Sequence, residues 1–264
     1  MKKQVSIYTL FTFILLTGLS LSTQAQHKLP KGEWIYQRSM GMMSIKMTAV
    51  FTKDQVAYTV ATNGKEMKER GKKFKVLKSV VKNGKGKMLL QEVDKERYSI
   101  GFFNQKSKDE LIMMPADPGM NNKAKAENMF KNAEKAIASE IKENSPGMSK
   151  QMKFDPYEFG WLWRSKKMVD ELSALPTMPE LDKKGLIETM DDMIVVMKKT
   201  KGAKAEMVNA MAMMRSMETM LINKGYNPYT SMGVLMKSQM KFASDPEVQK
   251  KAQELQKIQM NKKK

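Results

Sequence analysis

The period of the apolar residues changes once along this chain, and that change limits the fold more than any motif does. Between Gly32 and Pro115 apolar side chains recur at every second position. That spacing sets one face of a β-strand against a core. Gly32-Glu33-Trp34-Ile35-Tyr36 opens the series. Ile45 to Thr52 places Ile45, Met47, Ala49 and Phe51 on one face, and Val56, Tyr58 and Val60 alternate with polar neighbours. Phe74 to Val81, Met88-Leu89-Leu90, the alternating Tyr98, Ile100 and Phe102, and Leu111 to Met114 complete it. Asn63-Gly64 and Asn83-Gly84 suit two-residue hairpin turns, whose central residues sit at positive φ. About seven strands with short connections predict an antiparallel meander or small barrel.

Beyond Pro115-Ala116-Asp117-Pro118-Gly119 the apolar residues recur at three- and four-residue steps, the helical pattern. This Pro/Gly cluster marks an expected boundary between a β domain at 30–116 and a helical domain at 120–264. Helices are expected from Asn121 to Lys142 and from Asp155-Pro156, where the following stretch carries Tyr157, Phe159, Trp161 and Trp163. A capping box at Thr177-x-x-Glu180 would open the next, running to about Thr200. Ala203 to Asn223, closed by Gly225, and starts at Asn227-Pro228 and Ser244-Asp245-Pro246-Glu247 give the rest. The expected fold class is α+β, an N-terminal antiparallel β meander or small barrel followed by a C-terminal helical domain.

The first residues have the three parts of a secretory signal: Lys2 and Lys3, the apolar run from Val5 to Leu21, and Thr23-Gln24-Ala25. Cleavage after Ala25 and a periplasmic or secreted location are expected. The run is short beside the roughly 20 apolar residues of a membrane span, and no later stretch is apolar enough to cross one. Cysteine is absent. Disulfides, a thiolate nucleophile and a Cys-based zinc site are therefore excluded, and stability must come from packed cores.

Methionine takes the place leucine usually holds: 27 Met against 13 Leu follow residue 25. Met190, Met193 and Met197 share one helical face. So do Met207, Met211 and Met214, with Met213, Met217 and Met220 as a second row beside them, while Met232, Met236 and Met240 line another helix. Three readings fit. The rows are the inner faces of packed helices, since Met replaces Leu at a cost usually under about 1.5 kcal/mol. Or they form an adaptable surface for an apolar ligand, lipid or peptide, lined by Met207, Met211, Met213, Met214, Met217 and Met220. Or thioethers converge on a soft ion such as Cu(I) or Ag(I). For the last, Met40, Met42, Met43 and Met47 are the candidate ligands, and Met211, Met213, Met214 and Met217 the helical equivalent. No His or Cys lies beside either cluster, and the single histidine, His27, stands near the expected mature terminus.

Catalytic constellations are missing. One histidine in that position cannot build a Ser-His-Asp set. Ser79-x-x-Lys82 and Ser238-x-x-Lys241 have Ser–Lys spacing, but 42 lysines make such matches commonplace. Asp191-Asp192 and Asp109-Glu110 are sequence neighbours that point apart. Asn83-Gly84-Lys85-Gly86-Lys87 lacks P-loop spacing and joins two strands. A non-enzyme with no cofactor is expected. The net charge of +19 rests on 42 Lys and only 5 Arg, spread over both halves. That distribution argues against nucleic acid, which favours Arg for bidentate readout. It suits attraction to an anionic envelope surface.

Gly32-Glu33-Trp34 at the first strand, and the hairpin meander that includes Ala61-Thr62-Asn63-Gly64-Lys65-Glu66, resemble small exported bacterial proteins with a lipocalin-like domain. The resemblance covers residues 30 to about 116. It lacks the Thr-Asp-Tyr signature of larger lipocalins, and about seven strands is one fewer than their closed barrel. It implies a barrel or half-barrel, an apolar ligand, and Trp34 as a plug at the barrel end. The leading expectation is an exported, non-enzymatic binding or envelope-associated protein with a Met-lined apolar surface. The alternatives are a soft-metal binder and a structural basic protein on the anionic envelope surface.

Overall fold

A computed structural model describes residues 29–40, 43–114, 119–136, 139, 155–158, 160–199 and 206–261. Its strands are β1 (Gly32–Met40), β2 (Met43–Phe51), β3 (Gln55–Thr62), the two-residue β4 (Lys65–Glu66), β5 (Lys72–Lys82), β6 (Lys85–Glu92), β7 (Tyr98–Gln105), β8 (Glu110–Met113) and β9 (Trp161–Ser165). Its α-helices are α1 (Lys123–Lys131), α2 (Lys166–Ser173), α3 (Lys183–Lys199), α4 (Glu206–Asn223), α5 (Pro228–Lys241) and α6 (Pro246–Asn261). The class is α+β, strands first and helices after.

The seven expected strands are present, and an eighth closes them. β1, β2, β3, β5, β6, β7 and β8 pair antiparallel with their sequence neighbours; β9 then pairs with both β8 and β1. The result is a closed, eight-stranded, up-and-down barrel, with β4 as a short flap on β3. Following the register once around returns to β1 about 12 residues further along, a steep stagger that gives strong strand tilt.

The closing strand corrects the helix expected after Asp155. Asp155-Pro156 opens a turn, in which the Asp155 carboxylate accepts from the Tyr157 amide at 3.0 Å. Trp161 and Trp163 then point into the barrel, alternating with Leu162 and Arg164. Gly160 lets the chain reach β8: a Cβ there would lie 2.7 Å from the Met113 carbonyl carbon. The barrel therefore draws on residues well beyond 116.

Its interior is filled. Trp34, Met47, Phe51, Val56, Tyr58, Phe74, Met88, Leu90, Phe103, Leu111, Met113 and Trp163 form one buried cluster. An eight-stranded barrel is just wide enough for side chains to fill it. The Trp163 indole donates to the Met113 carbonyl at 2.8 Å, and the Trp34 indole to the Lys31 carbonyl at 3.2 Å. Both polar ends are thus satisfied in a region that could not leave them unpaired. At Gly86 the Phe103 ring occupies the space a side chain would need, 2.3 Å from an ideal Cβ.

Helices coat part of the outer wall. Phe130 and Ala126 of α1 pack on Leu89 and Tyr98; Val169 and Leu172 of α2 and Tyr229 of α5 cover Ile35 of β1. Asn122 caps α1 through Lys125 N at 2.9 Å; the helix breaks at Asn132, Ala133 to Ala136 are helical again, and most of the remaining expected span to Lys142 lies outside the described residues. The expected Thr177–Glu180 capping box does not form. Asp182 caps α3 through Gly185 N at 2.7 Å, and residues 176–182 run extended along α5, with Met178 N donating to the Ser231 hydroxyl at 2.8 Å. Asn227 and Asp245 cap α5 and α6, and Gly225 at φ 77° ends α4, as their sequence signals predict. No helix of the described residues is long and apolar enough to cross a membrane.

Candidate functional site

The methionine rows mostly pack inward. Met190, Met193 and Met197 of α3 share a buried cluster with Met217 and Met220 of α4, Met232 and Leu235 of α5, and Val248 and Leu255 of α6. Met217 and Met220, expected on a ligand surface, are core side chains. Met214 is half-buried. Met207, Met211 and Met213 belong to α4 by backbone, and their side chains lie outside the described set. The α5 row runs outward from buried Met232 to Met240, which is 77% exposed.

Of the candidate soft-metal residues, Met43 and Met47 do not meet. Met42 and the Met40 side chain lie outside the described residues; the backbones of Met40 and Met43 are cross-strand partners where β1 turns into β2. Met43 is exposed, whereas Met47 is buried inside the barrel. Four strand residues separate these two by about 13 Å, much too far to share an ion. Among the described residues no group of three His, Cys, Asp or Glu side chains is placed to hold a metal either.

A cleft at the barrel rim brings together a different set. Tyr36 and Arg38 of β1, Gly160, Trp161 and Leu162 at the start of β9, and Met214, Arg215 and Glu218 of α4 line a narrow, half-open cleft. The pleat of β1 sets Tyr36 and Arg38 on one face. One turn of α4 presents Met214, Arg215 and Glu218 to that face. Tyr36 and Trp161 stack with ring centroids 4.7 Å apart at 21°, forming an apolar floor.

Two arginines fasten α4 to β9. Arg164, 3% exposed, is ion-paired to Glu218 at 2.7 Å, with the Tyr229 ring 5.9 Å from its guanidinium. Arg215 donates to the Gly160 carbonyl at 2.6 Å and to the Glu158 carbonyl at 3.3 Å. These acceptors are neutral, so the Arg215 charge is not cancelled by them. Among the described residues no carboxylate lies within ion-pair distance of Arg38 or Arg215. Arg38 and Arg215 thus line the cleft with Glu218 as its one lining carboxylate, and Glu218 is itself paired with Arg164 beside it, leaving the cleft electropositive. Burial pushes the Tyr36 phenol above its ordinary value, and Glu218 adds to this while Arg38 opposes it. Burial lowers Arg215, with Glu158 and Glu218 holding it up; a guanidinium stays charged throughout the physiological range.

Chemically, the cleft offers stacked rings, a thioether and a leucine beside two guanidinium groups that make no direct ion pair among the described residues. It holds no nucleophile–base pair. Tyr36, Arg38, Trp161, Arg215 and Glu218 are not among the residues singled out by motif or methionine spacing. The available signal was weak: arginine is scarce beside lysine, and Arg38, Arg164 and Arg215 are at least half-buried, where a planar, always-charged donor is useful, whereas Arg70 and Arg97 are exposed. Comparison with family models, curated proteins and solved structures finds no match to this chain. The architecture itself is a closed eight-stranded antiparallel barrel, consistent with a lipocalin-like barrel, carrying a helical cap.

Proposed function

We propose that this is an exported, non-enzymatic binding protein that takes an apolar ligand with an anionic end at the rim of its barrel. The observation that carries this reading is where the free space lies. The barrel interior is filled with side chains, and the described methionine rows are largely buried, whereas the rim cleft is open and mixes apolar and cationic groups. Ligand sites combine mostly apolar walls with a few placed polar groups. Here the Tyr36–Trp161 stack, Leu162 and Met214 take the apolar part, and Arg38 and Arg215 face the anion. The filled interior distinguishes this from a ligand held inside a barrel.

Dodecanoate titrated against the purified protein is expected to quench tryptophan fluorescence, and native mass spectrometry to show one adduct. Arg38→Gln should weaken binding by about tenfold, the loss of one charge-assisted contact. Absence of both quenching and adduct in the intact protein overturns the reading. Protein purified from the exported fraction should begin after Ala25; a start at Met1 contradicts the cleavage claim.

A further inference from the structure

The helices gather on β1, β6, β7 and β9, and the opposite wall of the barrel differs from the rest of the surface. β2, β3 and β5 contain Lys46, Lys72, Lys73, Lys75, Lys78 and Lys82, and not one Asp or Glu. The register turns three of these outward across neighbouring strands: Lys46 lies opposite Ala61, Lys73 opposite Ala57 and Lys75 opposite Gln55. Ala61 and Ala57 are small, and Lys46, Lys73 and Lys75 are exposed. Val50 and Val80, 40% and 55% exposed, add apolar points to the same wall. Asp54 stands in the turn before β3, and Glu66 of β4, the cross-strand partner of Ala61, brings a carboxylate to the edge of the same face.

Many lysines elsewhere are answered, while others, such as Lys123, Lys250 and Lys257, stand exposed with no ion pair among the described residues. Lys85 pairs with Asp155, Lys87 with Glu134, Lys106 with Glu158, Lys183 with Asp245, and Lys251 with Asp191. On the bare wall Lys78 reaches Glu127 of α1. Lys46, Lys73, Lys75 and Lys82 have no ion pair among the described residues. Lys46 on β2 and Lys73, Lys75 and Lys82 on β5 give the wall an excess of positive charge that an opposing anionic surface would neutralise. The side chains are Lys, hydrated point charges on flexible stems, and not the Arg of bidentate phosphate readout. That chemistry suits a fluid layer of headgroups better than the fixed geometry of a nucleic acid.

We propose that the β2–β3–β5 wall docks on a bilayer containing anionic phospholipid. The proposal is independent of whether the rim cleft takes a ligand. The test is co-sedimentation of the intact protein with phosphatidylcholine vesicles, with and without phosphatidylglycerol, at low and moderate salt. Wild type should sediment only with the anionic vesicles, and salt should release it. Lys46→Glu, Lys73→Glu and Lys75→Glu together should reduce binding by about tenfold or more. Lys123→Glu, Lys250→Glu and Lys257→Glu make the same change in net charge on exposed helical positions and should bind within about twofold of wild type. Matching melting temperatures show that both triple variants fold. Equal losses in the two variants would overturn the proposal, since net charge alone would then be acting. So would failure of wild type to bind anionic vesicles, and binding only to duplex DNA would assign the wall to a nucleic acid instead.

Discussion

Arg164 shows how much one side chain can rest on one partner. Its guanidinium is buried between β9 and α4, with Glu218 as its counter-charge. Glu218→Ala should cost about 3–5 kcal/mol, because it leaves a buried charge unpaired. The double variant Arg164→Met with Glu218→Leu should recover most of that, since apolar replacements of similar volume often match a buried ion pair. Urea unfolding of the three proteins checks this, and additive losses would mean the two residues do not act as a pair. Glu134 makes a pH-dependent contact of another kind. Burial opposes its charge, but hydrogen bonds from Lys87 and Tyr157 outweigh burial and hold its carboxyl below the usual carboxylate value. A depressed carboxyl contributes stability above its unfolded pKa, and that contribution is lost as pH falls through the folded one. The stability difference between wild type and Lys87→Met should therefore be largest near neutrality and shrink below about pH 4. A difference that is flat in pH would assign the effect of Lys87 to its packing over the Phe130 ring.

At the scale of elements, turns and caps were legible where one or two residues settle the backbone. Asn63-Gly64 and Asn83-Gly84 both adopt positive φ at each central residue. Asn227 accepts from the first free amides of α5, as an N-cap does. The element that misled is β9, since five residues are too few for a period to assert itself and Asp-Pro reads equally as a turn or a helix start. The helical methionines were legible as faces but not as buried ones. Met193 sits at the centre of the helical core, so Met193→Ala should cost about 2–5 kcal/mol. Met193→Leu should stay under about 1.5 kcal/mol. Thermal melts of both variants test this; a tolerated alanine would mean that the row is not packed as described.

For the whole molecule, the barrel and the helices are not separable at residue 116. β9 supplies the only strand that joins β8 to β1, and Trp163 fills the middle of the barrel. A chain of residues 29–116 would keep seven strands with two open edges and a hole the size of an indole. It should show no cooperative thermal transition by near-ultraviolet circular dichroism, whereas 29–264 should. A cooperative melt of the short chain would mean that the barrel closes without β9. The same closure explains the rim cleft, because β9 carries Trp161 to Tyr36 and Arg164 to Glu218, and through them fixes α4 over the barrel mouth.

The sequence by itself determined what short-range physics controls: the period-two and helical stretches, the Asn-Gly hairpins, the caps at Asn227 and Asp245, and a basic chain without cysteine. Each depends on residues a few positions apart. Only the tertiary structure decided that Trp161 to Ser165 is a strand, that the described methionine rows are mainly core, that Arg38 and Arg215 line one cleft beside the buried Arg164–Glu218 pair, and that Lys46, Lys73, Lys75 and Lys82 of one barrel wall have no ion pair among the described residues. Those outcomes join residues tens of positions apart, from Lys85 beside Asp155 to Arg164 beside Glu218. Burial and pairing at that range belong to the closed barrel and its packed helices, and no local pattern encodes them.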